Sequence, residues 1–171
     1  ILMRSGLSSS LFRGLSPWVS RLPGGLMHIN VIGCGVMAAV SGSSAVTAAT
    51  VGRMSIPELK ARSYDPHMMV GSLAGAGTFG LLIPPSIIMI VYGVVAQQSV
   101  ARLFIAGLIP GLMLIVLFSS YIALWSLLNP QRAGAAPARL PLLDKLRASR
   151  ELLPVILLIV AIIGSIYGGL A

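Results

Sequence analysis

The sequence predicts an all-α, polytopic membrane fold containing a re-entrant helical hairpin and a proline-broken transmembrane helix. Three observations carry this. First, of 171 residues 56% are hydrophobic and only 9% charged, with a mean hydropathy of +0.94; a soluble domain carries about 25% charged residues. Second, four stretches contain no Asp, Glu, Lys or Arg: Leu22–Gly52, Pro66–Ala101, Leu103–Gln131 and Leu152–Ala171. Each reaches the roughly 20 residues that cross a bilayer core. Third, two of these stretches are interrupted in mid-course by residues that do not continue a helix.

The elements follow in order. Residues 1–21 mix Arg4, Arg13 and Arg21 with Leu7, Leu11, Phe12, Leu15 and Trp18, and are expected to be the end of a preceding span and an interfacial amphipathic arm. Pro23-Gly24-Gly25 punctuates the chain there. Residues 22–62 are expected to form the hairpin. As one straight helix, residues 22–52 would reach about 46 Å, at about 1.5 Å per residue, against a core of about 30 Å. The middle, Ala39-Val40-Ser41-Gly42-Ser43-Ser44-Ala45, is a poor helix interior, because Ser favours caps and Gly costs about 1 kcal/mol relative to Ala. A turn at Ser41–Ser44 resolves both problems.

Charge decides between a crossing and a hairpin. A single crossing would put the basic arm and the basic loop of Arg53, Lys60 and Arg62 on opposite sides. A hairpin returns both to the cytoplasm, and the remaining loops then obey the positive-inside rule. Residues 63–101 form the broken helix and residues 102–129 a full span. Residues 130–151 form a cytoplasmic loop holding Arg132, Arg139, Lys145, Arg147 and Arg150, and residues 152–171 begin the next span. The chain is expected to be a fragment cut at both ends, since it starts at Ile1 and stops directly after an apolar run.

The break is Gly80-Leu81-Leu82-Ile83-Pro84-Pro85-Ser86. Pro84 and Pro85 have no N–H, so the carbonyls of Gly80 and Leu81 lose their helical partners, and Ile83 is pushed out of the helical region. Bare carbonyls in hydrocarbon cost several kcal/mol each, so they face protein, water or an ion. Gly71 and Gly75 have the spacing that permits close helix packing.

Two interrupted apolar segments point to a transporter's binding site. Hydroxyls and carbonyls at Ser41 and Ser43 and freed carbonyls around Gly80–Pro85 are oxygen ligands for sodium. The N-terminus of the second half-helix, near Ser44, suits an anionic substrate. The net charge of +8 does not indicate nucleic acid, because the basic residues sit at the ends of apolar blocks. Cys34 is the only cysteine, which excludes an internal disulfide. An intramembrane serine hydrolase, with Ser41 as nucleophile and His28 or His67 as base, would need those groups within about 3 Å and an oxyanion hole. A passive channel or a non-catalytic assembly subunit stays open as an alternative. His28 reads as a packed histidine and His67 as an interfacial one.

Six runs appear in order: Leu22-Pro23-Gly24-Gly25-Leu26, Ser41-Gly42-Ser43-Ser44-Ala45, Ile56-Pro57-Glu58, Ser63-Tyr64-Asp65, Gly80 to Ser86, and Leu103-Phe104-Ile105-Ala106-Gly107-Leu108-Ile109-Pro110-Gly111. Together they resemble the large membrane subunit, DctM type, of the tripartite ATP-independent periplasmic (TRAP) transporters. The resemblance implies an elevator-type half-repeat and a Na⁺-coupled permease importing small organic anions such as C4-dicarboxylates or sialic acids. It implies no catalytic residue and no organic cofactor. It places Na⁺ on Ser41, Ser43, Gly80, Ile83 and Pro85. Ser43, Ser44 and Ser86 are the substrate candidates. The implied partners are a small membrane subunit, a periplasmic substrate-binding protein and the lipid bilayer, in the bacterial inner membrane. A second sodium site is expected in a second repeat outside this chain.

Overall fold

The structure is a computed structural model that describes residues 7–134, 145 and 148–167. Every regular element among them is helical: α1 (Leu7–Val19), α2 (His28–Ser41, entered through a 3₁₀ turn, Gly25–Met27), α3 (Ser44–Ala61), α4 (Pro66–Gly77), α5 (Phe79–Leu82), α6 (Ile87–Val95), α7 (Val100–Leu128) and α8 (Leu153–Tyr167), with 3₁₀ turns at Pro130–Arg132 and Arg150–Leu152. Arg139, Asp144, Arg147 and the final Gly168-Gly169 lie outside the described residues, so most of the expected basic loop is untested.

The core is built around α2. Ile29, Val31, Cys34 and Ala38 are fully buried on different faces of this helix, and a helix apolar all round is one surrounded by others. It packs on α1, α3, α4, α5, α7 and α8. Asn30, also fully buried, ties α2 to α4: its Nδ2 donates to the Met69 carbonyl at 3.1 Å and to Ser72 Oγ at 2.9 Å.

α2 and α3 fold back on each other. The Leu26 N–H, just before α2, donates at 3.2 Å to Tyr64 Oη, just after α3, so the far ends of the two helices are neighbours. Burial pushes the Tyr64 phenol above its ordinary range, with the Leu26 N–H and Arg62 pulling the other way. The next residue, Asp65, donates its N–H to the Arg132 carbonyl at 3.2 Å beyond α7. The stretches around Arg21, Arg62 and Arg132 thus gather at one end of the bundle.

Two details differ from the sequence expectation. The turn is only Gly42 and Ser43, and Arg53 and Lys60 belong to an 18-residue helix that runs through Pro57. Arg53 and Lys60 are therefore helical, not in a loop: a proline mid-helix forfeits one bond, and packing of α3 on α2 and α4 carries the helix across it. Secondly, Gly71 and Gly75 do not act alike. A side-chain carbon on Gly75 would strike the Phe118 ring, whereas one on Gly71 would meet nothing within 4 Å.

α7 has 29 residues, with a mean hydropathy of 2.3 over its most apolar window. At about 43 Å it exceeds a bilayer core. Its outer face, including Ile105, Ile109, Leu112 and Val116, is exposed, as are Ile87, Val91 and Val94 of α6. α4–α5 and α6 together also pass as one span, bent by 40° at the break. α1 is clasped to the start of α8: Arg13 pairs with Glu151 at 3.5 Å, and Trp18 Nε1 donates to Ser149 Oγ at 3.0 Å.

Candidate functional site

The hairpin turn and the helix break meet. α2 ends because Gly42 adopts φ +60°, a left-handed cap that costs glycine little. Ser43 is then extended, and α3 starts at Ser44. In the other partner, Thr78 interrupts α4, Ile83 leaves helical geometry at ψ 123° ahead of the two prolines, and Ser86 is extended before α6 resumes. The two interruptions touch through their backbones. A side-chain carbon on Gly42 would lie 2.6 Å from the Pro85 carbonyl oxygen, and one on Gly80 would lie 2.6 Å from both the Ser43 carbonyl carbon and the Ser44 nitrogen. Only glycine at both positions allows this approach.

The contact sets Gly42 against Pro85 and Ser86, and Gly80 against Ser43 and Ser44. The carbonyls of Gly80, Ile83 and Pro85 accept no hydrogen bond from the described residues. The Leu81 carbonyl, freed from its helical partner, faces protein: Ser86 Oγ donates to it at 2.8 Å. Ser86 is fully buried, and its hydroxyl braces the break. Ser41 Oγ is 2.7 Å from Thr47 Oγ1 and 3.3 Å from the Ser43 carbonyl oxygen. Ser43 is the N-cap of α3, but its side chain makes no capping bond; its hydroxyl, half-buried, is unclaimed among the described residues.

The arrangement offers neutral oxygen donors: three unpaired carbonyls and the Ser43 hydroxyl. That donor set fits an alkali cation, for which carbonyl oxygens replace hydration water. Beside it, the first N–H groups of α3 lack helical partners and carry the positive end of the dipole. Ser44 and Ala45 form this edge, with Ala45 exposed. Thr47 was not legible as a site residue. Its only sequence signal is its place one turn into α3, on the face that turns back to Ser41, and it is fully buried.

The histidines are elsewhere. His28 is buried at the opposite end of α2 from Ser41, roughly 20 Å along the helix, with Nε2 at 2.8 Å from the Pro23 carbonyl oxygen. His67 is exposed in the first turn of α4. Neither reaches Ser41, and no hydrolytic pair forms.

Residues 1–171 match the family model of the tripartite ATP-independent periplasmic transporter, DctM component. The chain belongs to the DctM family. It is 37% identical over 164 residues to the C4-dicarboxylate TRAP transporter large permease protein DctM of Pseudomonas aeruginosa, covering 96% of this chain and 38% of that protein. It is 35% identical over 171 residues to the ectoine/5-hydroxyectoine TRAP transporter large permease protein UehC of Ruegeria pomeroyi, covering 99% of this chain and 39% of that one. A 108-residue match at 39% identity, covering 63% of this chain, falls within the isethionate TRAP transporter permease protein DctMQ of Oleidesulfovibrio alaskensis, of which it is 17%. The DctM-family chain described here thus spans about two-fifths of the length of the first two relatives.

Proposed function

We propose that this chain forms one half of the carrier unit of a Na⁺-coupled TRAP permease that imports a small organic anion across the bacterial inner membrane. The observation that carries the reading is the Gly42–Pro85 and Gly80–Ser43 backbone contact, because it joins hairpin tip and broken helix into one set of oxygen donors. In this reading Na⁺ takes main-chain oxygens of Gly80, Ile83 and Pro85 and the hydroxyl of Ser43. Ser41 holds the turn, its hydroxyl engaged by Thr47 and by both the N–H and the carbonyl of Ser43, and it reaches Na⁺ only if one of these bonds opens. The anionic group of the substrate meets the N–H groups at the start of α3, beside Ser43 and Ser44, where the dipole favours it. Ser86 contributes by bracing Leu81, and reaches substrate only if that bond opens.

The hairpin is re-entrant: α2 and α3 enter and leave on the cytoplasmic side, where the basic segments gather, and the turn lies at depth. Movement of this unit against the rest of the permease, as an elevator, exposes the site to either side. A small membrane subunit and a periplasmic binding protein complete the system. Relatives carry names with C4-dicarboxylate, ectoine and isethionate, so the reading commits to a small organic solute with an anionic group and to no single compound.

The test is uptake by proteoliposomes containing the full-length permease, its small subunit and its binding protein. Uptake is expected to saturate with substrate and to require an inward Na⁺ gradient. Flux that neither saturates nor depends on Na⁺ would instead indicate a channel.

A further inference from the structure

Below the point where Phe118 seats on Gly75, α4 and α7 part. Phe118 closes the upper end, its ring edge-on to Phe79 at 5.4 Å between centroids. One turn nearer the basic end of the bundle, at Gly71, nothing lies within 4 Å of where a side chain would begin. The result is a groove of about 460 Å³. Its α7 wall is apolar and aromatic, from Phe118, Tyr121 and Trp125, at the spacing that puts them on one helix face. Tyr121 is exposed, so the groove opens outward.

The mouth has a different chemistry. Asp65, His67 and Arg132 line it. Asp65 caps α4 through Oδ1, which accepts from the Met68 N–H at 3.0 Å, and its second oxygen takes no hydrogen bond from the described residues. Arg132 is exposed and makes no ion pair within 4.0 Å among the described residues. One cation and one carboxylate therefore stand at the same opening without neutralising each other, above an apolar slot. Trp125 stands three residues from the end of α7, and aromatic side chains near the end of a span mark a membrane interface.

We infer that the α4–α7 groove binds a zwitterionic phospholipid with a primary ammonium headgroup, its phosphate on Arg132, its ammonium on Asp65 and an acyl chain along Phe118 and Tyr121. A balanced pair of opposite charges suits a headgroup carrying both signs. A purely anionic headgroup meets repulsion from Asp65, and a quaternary ammonium has no N–H to donate.

The test uses the full-length permease, partly delipidated in detergent and back-titrated with phospholipids of identical acyl chains bearing ethanolamine, glycerol or choline headgroups. Native mass spectrometry reads the lipid retained. The ethanolamine lipid is expected to be retained about tenfold better than the other two, the effect of one charged hydrogen bond. Arg132→Gln lowers retention about tenfold. Asp65→Asn, which keeps the α4 cap, abolishes the preference of ethanolamine over glycerol. Gly71→Trp fills the groove and removes retained lipid while leaving the melting temperature in lipid-free detergent unchanged. Equal retention of all three headgroups, an intact preference in Asp65→Asn, or lipid retained by Gly71→Trp would overturn the assignment. So would a lower lipid-free melting temperature for Gly71→Trp, which would mean that protein fills the groove.

Discussion

Gly42 and Pro85 meet backbone to backbone, so closely that a side-chain carbon on Gly42 would sit 2.6 Å from the Pro85 carbonyl oxygen. The same oxygen is one of the three unpaired carbonyls at the helix break. A change at Gly42 therefore acts on the ion site through geometry, without removing any ligand.

Gly42→Ala is expected to cost about 2–4 kcal/mol, from the left-handed φ and from overpacking against Pro85. Gly80→Ala meets Ser43 and Ser44 at ordinary φ, so only the overpacking term of about 1–3 kcal/mol applies. Gly71→Ala, in open helix, should be neutral or stabilising by about 0.5–1 kcal/mol. Thermal unfolding of the detergent-purified permease gives the order Gly42 worse than Gly80, with Gly71 unharmed. Equal melting temperatures for all three would show that the two breaks do not press together.

Ser43→Ala removes the one unclaimed hydroxyl at the site and leaves three carbonyls. Uptake should survive with a raised Na⁺ requirement, about tenfold for one charged hydrogen-bond equivalent. Ser41→Ala instead strips Thr47 of its partner in a fully buried position, and should lower stability by about 1–3 kcal/mol. Unchanged Na⁺ activation of Ser43→Ala at normal expression would remove Ser43 as a side-chain ligand.

The proline pair carries the most physical claim. Replacing Pro84 and Pro85 together by Ala restores two N–H donors, which can close the helix onto Gly80 and displace Ser86 from Leu81. Stability should hold or rise, since each proline in an otherwise acceptable helix costs about 3 kcal/mol. Transport should fail, because the unpaired carbonyls return to helical bonds. One charge crossing about 100 mV is worth about 2.3 kcal/mol, roughly a fiftyfold gradient, and loss of a Na⁺ site forfeits it. Normal sodium-driven uptake by the double mutant would reduce the prolines to a simple kink.

Topology is checked with single cysteines in a Cys34→Ala background. Gln98→Cys is expected to react with an impermeant thiol reagent from the periplasm, whereas Glu58→Cys and Gln131→Cys should react only after the membrane is opened. Periplasmic labelling at residue 58 would rule out a re-entrant hairpin.

Much of this molecule was legible in its sequence because the relevant signals are local. Helix breaks follow from missing N–H groups and left-handed backbone, and Gly42, Pro84 and Pro85 announce them one residue at a time. The apolar blocks and the clustering of Arg and Lys at their ends report a solvent boundary, which composition alone records. The loop assigned to Arg53 and Lys60 failed for the same reason: their charge suggests a loop locally, and packing of α3 on α2 and α4 keeps them helical. Tertiary structure alone decided which broken segment faces which, because the seating of Gly42 on Pro85 and of Gly80 on Ser43 spans some forty residues of chain. It also decided the partners of free polar groups. Ser86 and the Leu81 carbonyl, or Ser41 and Thr47, find one another through backbone paths that no spacing rule encodes. The same holds for Gly71 and Gly75, identical in sequence spacing, of which only one receives a ring. Local chemistry determines where a chain must break; three-dimensional packing determines what the broken ends can hold.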